Sequence, residues 1–512
     1  MALNNTEQHI SSSDGGDSTP VENANREKDA ESAMPHRQPF PEMDLRNGIV
    51  GWDGQDDPEN PRNFSSRKRW TLLSIISGMT FVTPFASSML SPAVTFVSAE
   101  FGITNQTLLS LSVSIYLLGY SFGPLLLAPM SEIYGRRIVL SLSNWFFVIW
   151  QIGCALSPNI TSLIIFRFLG GMGGSGCLTL GAGLIADLFP IERRGLAASF
   201  WSLGLLVGPV LGPVCGGFIS ETIGWRWIFW TLLIVGTSMS ALIDLLNEET
   251  YAIVIIQRKK KRLAAELGRT DLRNAYKHDG KEESVLATLK IDSVRPVMLF
   301  CTSPIVFLLS MYLAVEYGLL YLFFTTIPIV FPGKYGFSPG ISGLTYLGIG
   351  LGFLLGLSLN AYTSDRMMME SVRRNNGKFE PEMRLPFLVF YSTFCTIGFF
   401  WYGWTVDKGI HWIVPIIGMV PFGFGLMGLW LCIQTYVIDS YHKYAASANA
   451  AITASRSLLG ATLPLAGPKL FETLGLGWGN SLLGFISLAF VPVPVIFLRY
   501  GKRIREKYDV QF

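Results

Sequence analysis

Twelve runs of about 20 or more apolar residues, the length that crosses a hydrocarbon core roughly 30 Å thick, set the terms for this chain of 512 residues. They lie at 71–97, 106–129, 138–157, 162–187, 196–219, 227–247, 297–323, 339–361, 386–405, 411–437, 445–471 and 479–499. In lipid every backbone N–H and C=O must be satisfied within the structure, and a helix does this inside each run. Composition agrees: 15% of residues are charged, against roughly 25% in an ordinary soluble domain. The expected class is an all-α integral membrane protein of twelve transmembrane helices in two pseudo-symmetric six-helix halves.

Lys and Arg concentrate in cytoplasmic loops, and here alternate loops differ sharply. One set carries Arg67 to Arg69, Arg136 and Arg137, Arg193 and Arg194, the run Arg258 to Arg262, then Arg366, Arg373, Arg374, Lys378, Arg384 and Lys443, and ends on Arg499, Lys502, Arg503, Arg505 and Lys507. The other set has little beyond Arg226, Lys334 and Lys408. Both termini are therefore expected in the cytoplasm, which requires an even number of spans. The expected domains are a disordered polar tail (1–69), a first six-helix bundle (70–247), a charged cytoplasmic loop (248–295), a second bundle (296–499) and a short tail (500–512). The tail of 1–69 is low in apolar residues and lacks the core of a cleavable signal peptide, so the first span serves as the insertion signal. Within the central loop, QRKKKRLAAEL (Gln257 to Leu267) reads as a basic helix near the lipid surface or, more simply, as a solvated positive-inside loop.

Several chemistries are excluded. The six cysteines fall inside the apolar runs, so no disulfide framework is expected. No Cys/His ligand cluster suggests a metal, and no GxxxxGK[ST] loop suggests ATP. No HExxH or GxSxG arrangement supports an intramembrane enzyme, and nothing suggests nucleic-acid binding. The sequons at Asn105 and Asn159 sit in loops so short that the asparagines hug the membrane.

The stretch GLLVGPVLGPVCGG places Gly204, Gly208, Gly212, Gly216 and Gly217 with Pro209 and Pro213 in the fifth run. The first four glycines recur every four residues and line one helix face. In lipid such a stripe lets a second backbone approach closely, while neighbouring helices satisfy the carbonyls that proline frees. Gly348, Gly352 and Gly356 repeat the pattern in the eighth run. The two stripes read either as static packing or as helices that rock on each other.

At the end of the second run the chain reads APMSEIYGRR, Ala128 to Arg137. This resembles the loop signature G-x-x-x-D-R-x-G-R-R of the major facilitator superfamily. Glu132 stands for the Asp, Ala128 replaces the leading Gly and Ile133 the first Arg, while Gly135, Arg136 and Arg137 match. The corresponding loop of the second half keeps Asp365 and Arg366 and loses the trailing G-R-R. RFLGGMGGSG (Arg167 to Gly176) resembles the family's span-4 motif, and the glycine stretch resembles its span-5 antiporter motif. GWRWIFW (Gly224 to Trp230), ETY (Glu249 to Tyr251), YVIDSY (Tyr436 to Tyr441) and WDGQDDPENPRNF (Trp52 to Phe64) resemble the fungal branch of twelve-span drug:proton antiporters. The resemblance runs from about residue 52 onward. It implies the major facilitator fold, a cavity lined by spans 1, 4, 7 and 10, and a seam where spans 5 and 8 meet.

Ionisable residues at membrane depth are functional suspects. Arg167, Glu316 and Arg456 are the candidates for proton coupling or gating, with Arg167 as partner or gate by resemblance and Glu316 as either the proton site or a substrate contact. Glu132, Arg136 and Asp187 are candidates for a cytoplasmic latch. Asp244 is expected near the outer end of its span. Phe81 and Phe85 on span 1, Tyr312, Tyr317, Tyr321 and Phe324 on span 7, and Trp430 and Gln434 on span 10 are the candidate substrate residues. They suit bulky amphipathic molecules.

The expected function is proton-coupled efflux of amphipathic toxins, drugs or secondary metabolites by alternating access. It needs no cofactor beyond the proton gradient, and its partners are the small-molecule substrate, protons and membrane lipid. A monomer in a fungal plasma membrane, or less simply a vacuolar one, is implied. The rivals are an exporter of polyamines or another specific metabolite, an importer of the same superfamily, and a non-transporting nutrient sensor. Few acids in the cavity spans argue against polyamines, the span-5 motif against an importer, and the absence of a sizeable signalling tail against a sensor.

Overall fold

The computed structural model describes residues 40–276, 285–375, 380–441 and 445–507; side chains at 191, 192, 195, 285–292, 364–366, 445, 446 and 506 lie outside the described residues. Span 1 is Ser66–Met89, span 2 Gln106–Tyr134, span 3 Arg136–Ala155, span 4 Ile160–Leu188, span 5 Ile191–Thr222 and span 6 Arg226–Leu246. Span 7 is Pro304–Tyr335, span 8 Leu347–Arg374, span 9 Pro386–Asp407 and span 10 Ile413–Ser440. By length and composition eleven helical runs can cross a membrane, the last being 59 residues, Ser447–Arg505. At 1.5 Å per residue that run would extend about 90 Å, some three core thicknesses. Gly475 interrupts it with φ 71° and ψ 175°, a backbone conformation essentially reserved to glycine. The run is thus two crossings, span 11 (445–474) and span 12 (476–507), and the described chain crosses twelve times.

The halves repeat each other. Packing of span 1 on 5 is matched by 7 on 11, 2 on 4 by 8 on 10, 3 on 4 by 9 on 10, and 3 on 6 by 9 on 12. Span 2 meets span 11 and span 5 meets span 8 across the divide, the arrangement expected of duplicated six-helix units. Leu142, Leu196, Leu245 and Phe485 are exposed, as suits surfaces that face lipid. Polar caps start several helices: Asn105 accepts from Thr107 and Leu108 N–H, Asn159 forms a capping box with Ser162, and Ser303 caps span 7. Both sequon asparagines are therefore N-caps.

Two expectations are corrected. Span 7 starts at Pro304 rather than 297, because Val285–Thr302 is a helix of its own that packs on spans 2 and 11. Residues 40–65 are not a disordered tail: they clasp the linker helix Ala252–Leu267. Ile49–Val50 pairs in parallel with Arg273–Asn274, and fully buried Trp52 donates its indole N–H to Tyr276 Oη at 2.7 Å. Val50, Trp52, Ile256 and Leu272 make a small core. Lys259 turns inward onto Asp53 (2.8 Å) and Asp57 (3.4 Å) instead of toward lipid headgroups. Burial raises the Asp57 carboxyl, but the amides of Asp53 and Glu59 and the Lys259 ammonium outweigh it and hold it below the usual carboxylate range. Residues 1–39 lie outside the described residues.

Candidate functional site

The basic loops mark one face of the bundle, and polar contacts between the halves gather toward the other. Ser87 and Tyr321 share a hydroxyl–hydroxyl hydrogen bond of 2.8 Å, and Ser91 and Tyr346 one of 2.9 Å. Ser114 Oγ donates to the Ala461 carbonyl at 2.8 Å. The Glu221 carboxylate accepts from Gly340 N–H (2.9 Å) and Ser338 Oγ (3.0 Å) at the start of the short helix Pro339–Leu344. Near mid-depth Ser121 Oγ donates to the Ala454 carbonyl at 2.9 Å.

Proline supplies acceptors for this network. A proline within a helix leaves the carbonyl four residues earlier without its donor. Pro328 so frees the Phe324 carbonyl, which takes hydrogen bonds from Ser91 Oγ of the other half and from Tyr346 Oη at 3.2 Å. Pro129 frees the Leu125 carbonyl, which accepts from Ser293 Oγ at 2.9 Å. Pro213 frees the Pro209 carbonyl, which accepts from Ser88 Oγ at 2.9 Å within the first half.

The glycine stripes lie elsewhere than the resemblance implies. Gly204, Gly208, Gly212 and Gly216 face span 1, where added Cβ atoms would stand 2.7, 2.8, 2.7 and 1.9 Å from the carbonyl oxygens of Ser77, Phe81, Phe85 and Met89. Gly348, Gly352 and Gly356 likewise face span 10. Both stripes bind helices within one half, as small residues do in lipid. The seam of span 5 with the second half uses other residues, chiefly on the short helix Pro339–Leu344 that leads into span 8: a Cβ at Gly217 would stand 2.5 Å from the Pro339 carbonyl oxygen, and one at Gly343 2.4 Å from that of Pro213.

A cavity lies between span 5 of the first half and spans 7, 8, 10 and 11 of the second. Leu205, Leu206 and Pro209 form one wall, and Leu313, Tyr317, Leu320 and Phe353 another. Leu426, Met427, Trp430 and Arg456 complete it. Its free volume is about 50 Å³, room for a few waters at most. A separate hollow of about 790 Å³, on the face away from the basic loops, lies among Asn105, Lys334, Lys469 and Glu472.

Of the sequence candidates, the structure brings Tyr317, Trp430 and Arg456 together here, with Pro209 of the span-5 motif opposite them. Phe81 and Phe85 pack with each other beside span 5, and Gln434 is half-buried; none of the three is in the lining, which draws nothing from spans 1 and 4. Tyr321 and Phe324 belong to the inter-half seam. Tyr312 stacks on Phe490 of span 12, ring centroids 5.4 Å apart. Glu316 is fully buried and also points away from the cavity, accepting from Ser487 Oγ of span 12 at 2.5 Å, with its other carboxyl oxygen unpartnered. Arg167 gives its donors to the carbonyls of Ser87 (2.9 Å), Val113 (3.3 Å) and Ala86 (3.5 Å). Arg167 and Glu316 are therefore not partners. Arg167 instead braces the turn of span 1 whose Ser87 reaches Tyr321 across the seam.

At the basic face, Gly135 adopts φ 100° and Glu249 comes so close that a Cβ there would lie 2.0 Å from its carboxylate. Glu249 accepts from Arg136 N–H at 2.9 Å, the Arg136 guanidinium reaches Asp187 at 3.5 Å and Ser131 Oγ at 2.6 Å, and it lies 4.7 Å over the Tyr251 ring. Asp187 and Glu249 are thus two carboxylates held on Arg136; Glu132 stands one turn before, on the last turn of span 2. Arg137 is exposed and donates to the Asp244 carbonyl at 3.3 Å, and Trp145 donates to the Asp244 carboxylate at 2.6 Å. That corrects the expected outer position of Asp244, since span 6 ends at the basic face. The second half builds a matching pair from Arg384 and Asp439, which stand at the starts and ends of spans 9 and 10 as Arg136 and Asp187 do in spans 3 and 4. The side chains of Asp365 and Arg366 lie outside the described residues.

Sequence reasoning missed Ser87, Ser91, Glu221, Tyr346 and Arg384. Only the prolines four residues after an accepting carbonyl offered a readable signal for any of them.

Residues 76–464 match the Major Facilitator Superfamily. The chain is 49% identical over 466 residues to "MFS-type transporter penM" of Penicillium rubens, covering 91% of each chain. It is 47% identical to "MFS transporter cpaT" of Aspergillus oryzae, covering 90% of this chain and 93% of that one. With "Efflux pump radE" of Floropilus chiversii the identity is 43%, over 89% and 85%. Among solved structures it resembles the xylose transporter XylE of E. coli in a partially occluded inward-open conformation (TM-score 0.63, 17% identity, 85% of this chain and 98% of that one), a likeness of fold. This chain is a membrane transporter of the Major Facilitator Superfamily, and not an enzyme.

Proposed function

We propose that this transporter exports amphipathic small molecules, such as toxins, drugs or secondary metabolites, in exchange for protons. The observation that carries the reading is the pairing of a closed seam at the face away from the basic loops with an aromatic and apolar cavity between the halves. With the basic loops in the cytoplasm, both termini are cytoplasmic and the closed seam is the outer gate. Rocking of the halves about the span 5–8 and span 2–11 contacts then exposes the cavity to one side at a time. The relative named as an efflux pump supports export over import, and the absence of a carboxylate from the cavity lining disfavours polyamines.

Protons are the driving species and no other cofactor is required. Glu316, buried away from the cavity among spans 7, 9 and 12, holds the coupling proton. Its protonation alters how span 7 packs, and span 7 carries both Tyr317 in the cavity and Tyr321 in the gate. The protein works as a monomer in the plasma membrane.

The test is efflux of a panel of labelled amphipathic compounds from yeast lacking its own pumps, with and without a protonophore. Protonophore-sensitive efflux that is lost in Glu316→Gln is the expected result. Uptake, or efflux indifferent to the protonophore, contradicts the reading.

A further inference from the structure

We infer that the cavity is built for organic anions: its substrates are amphipathic molecules with one acidic group, which Arg456 receives. The inference rests on the export reading and adds the charge of the cargo. Arg456 supplies the positive charge in the lining, which contains no Asp or Glu. Its side chain is 7% exposed, and no hydrogen bond or ion pair to it is found among the described residues, its Nε included. The guanidinium lies 5.0 Å over the Tyr317 ring and 5.6 Å over the Trp430 ring.

Ring faces attract a cation but do not accept the in-plane N–H groups. Arg carries five such donors in a fixed fork, and leaving them unmet at membrane depth is costly. Arg167, whose Nε is likewise unpartnered, meets the ends of its fork with three carbonyls. Arg456 has no such partners, so its edge is available to an incoming acceptor. A carboxylate or an acidic enol matches that fork with two parallel hydrogen bonds, while Tyr317 and Trp430 offer faces to the attached planar or apolar body. An amine would meet a like charge with no acid to receive it. The present cavity, about 50 Å³, is smaller than such a molecule, which enters when the halves part.

The experiment uses a panel of labelled aryl-alkyl carboxylic acids, each with its methyl ester and its amine counterpart, in pump-deficient yeast. The acids are expected to leave the cell in a protonophore-sensitive way, with esters and amines at least about ten-fold slower. Arg456→Gln should slow acid efflux about ten-fold, the loss expected for a charge-assisted pair, and erase the preference of acid over ester. Arg456→Lys, which keeps the charge and loses the fork, should retain part of it, and separates recognition from misfolding. Arg456→Glu should turn the preference toward the amines. Export of esters or amines as fast as acids, unchanged in Arg456→Gln, overturns the anion inference and leaves export standing. No movement of any compound by surface-expressed protein overturns the export reading and this inference together.

Discussion

Span 5 meets span 1 along one face and span 8 along another, and the two contacts are built to different ends. On the span 1 side four glycines in register bring the backbones together over about three helical turns, with Ser88 closing the carbonyl that Pro213 frees. On the span 8 side, close backbone approach lies at the end, where Gly217 and Pro213 meet Pro339 and Gly343 of the short helix leading into span 8 and Glu221 accepts from its first turn. Further along, only the Val210 side chain presses on Gly350. A long zipper holds helices in one rigid half. A short contact at one end can open without unfolding anything. Small residues serve both, so their presence alone does not say which is which.

Gly216→Val is expected to have the largest effect, because its side chain would meet the Met89 carbonyl oxygen at 1.9 Å along a contact that never opens. Overpacking of about 1–3 kcal/mol or more should remove the folded protein, read as loss of surface expression and of a cooperative melt. Gly217→Val, one residue along, strains only the gate. It should reach the membrane at normal level and lose transport about ten-fold, since a cost of roughly 1.4 kcal/mol on closure is a ten-fold shift between states. Equal loss of expression in both would erase the distinction between the two faces.

Pro328→Ala sharpens it further. The new N–H returns to the Phe324 carbonyl as a helical bond, competing with Ser91 and Tyr346. Thermal stability should hold or rise while the gate weakens, with a few-fold change in transport. The smallest effect belongs to the clasp, which joins neither seam. Lys259→Met leaves the buried Asp57 carboxylate without its ammonium and should raise protease sensitivity within 40–65, while transport changes by less than about two-fold because the cost of the broken buried pair stays in the clasp. Because the Asp57 carboxyl is held below its ordinary value, its stabilisation of the clasp is present above the unfolded carboxylate range and fades only as pH falls through its lower folded value. Protease resistance of the clasp should therefore be flat from pH 7 to about pH 5 and drop only in stronger acid.

The fold was legible because lipid leaves few options: run length gave the spans, and loop charge gave their alternation. The break at Gly475 was legible only as a gap between apolar runs, since a tight glycine turn leaves almost no polar loop to see. The site was half legible. Arg456, Tyr317 and Trp430 were found as residues too polar or too large to ignore on cavity spans, but the same rule picked Tyr312 and Phe324, which face other helices. Period and composition place a residue on a face; which neighbour that face meets depends on the whole bundle. Arg167 was expected as partner or gate to Glu316 by resemblance to the family, yet each found a closer answer, a serine hydroxyl for Glu316 and backbone carbonyls for Arg167. The pair of Arg384 with Asp439 escaped notice because the loop motif was sought at Asp365 rather than at the start of the next span.

The most direct test of alternating access measures both ends of the same helix pair. In a cysteine-free background, spin labels at Thr222 and at Ile341, on the short helix leading into span 8, report the gate end, and labels at Arg193 and Arg373 report the basic end of spans 5 and 8. All four positions are exposed. Lowering the pH and then adding an exported compound should lengthen one distance as the other shortens. Two distances that stay fixed, or that lengthen together, would contradict a transporter that rocks about this seam.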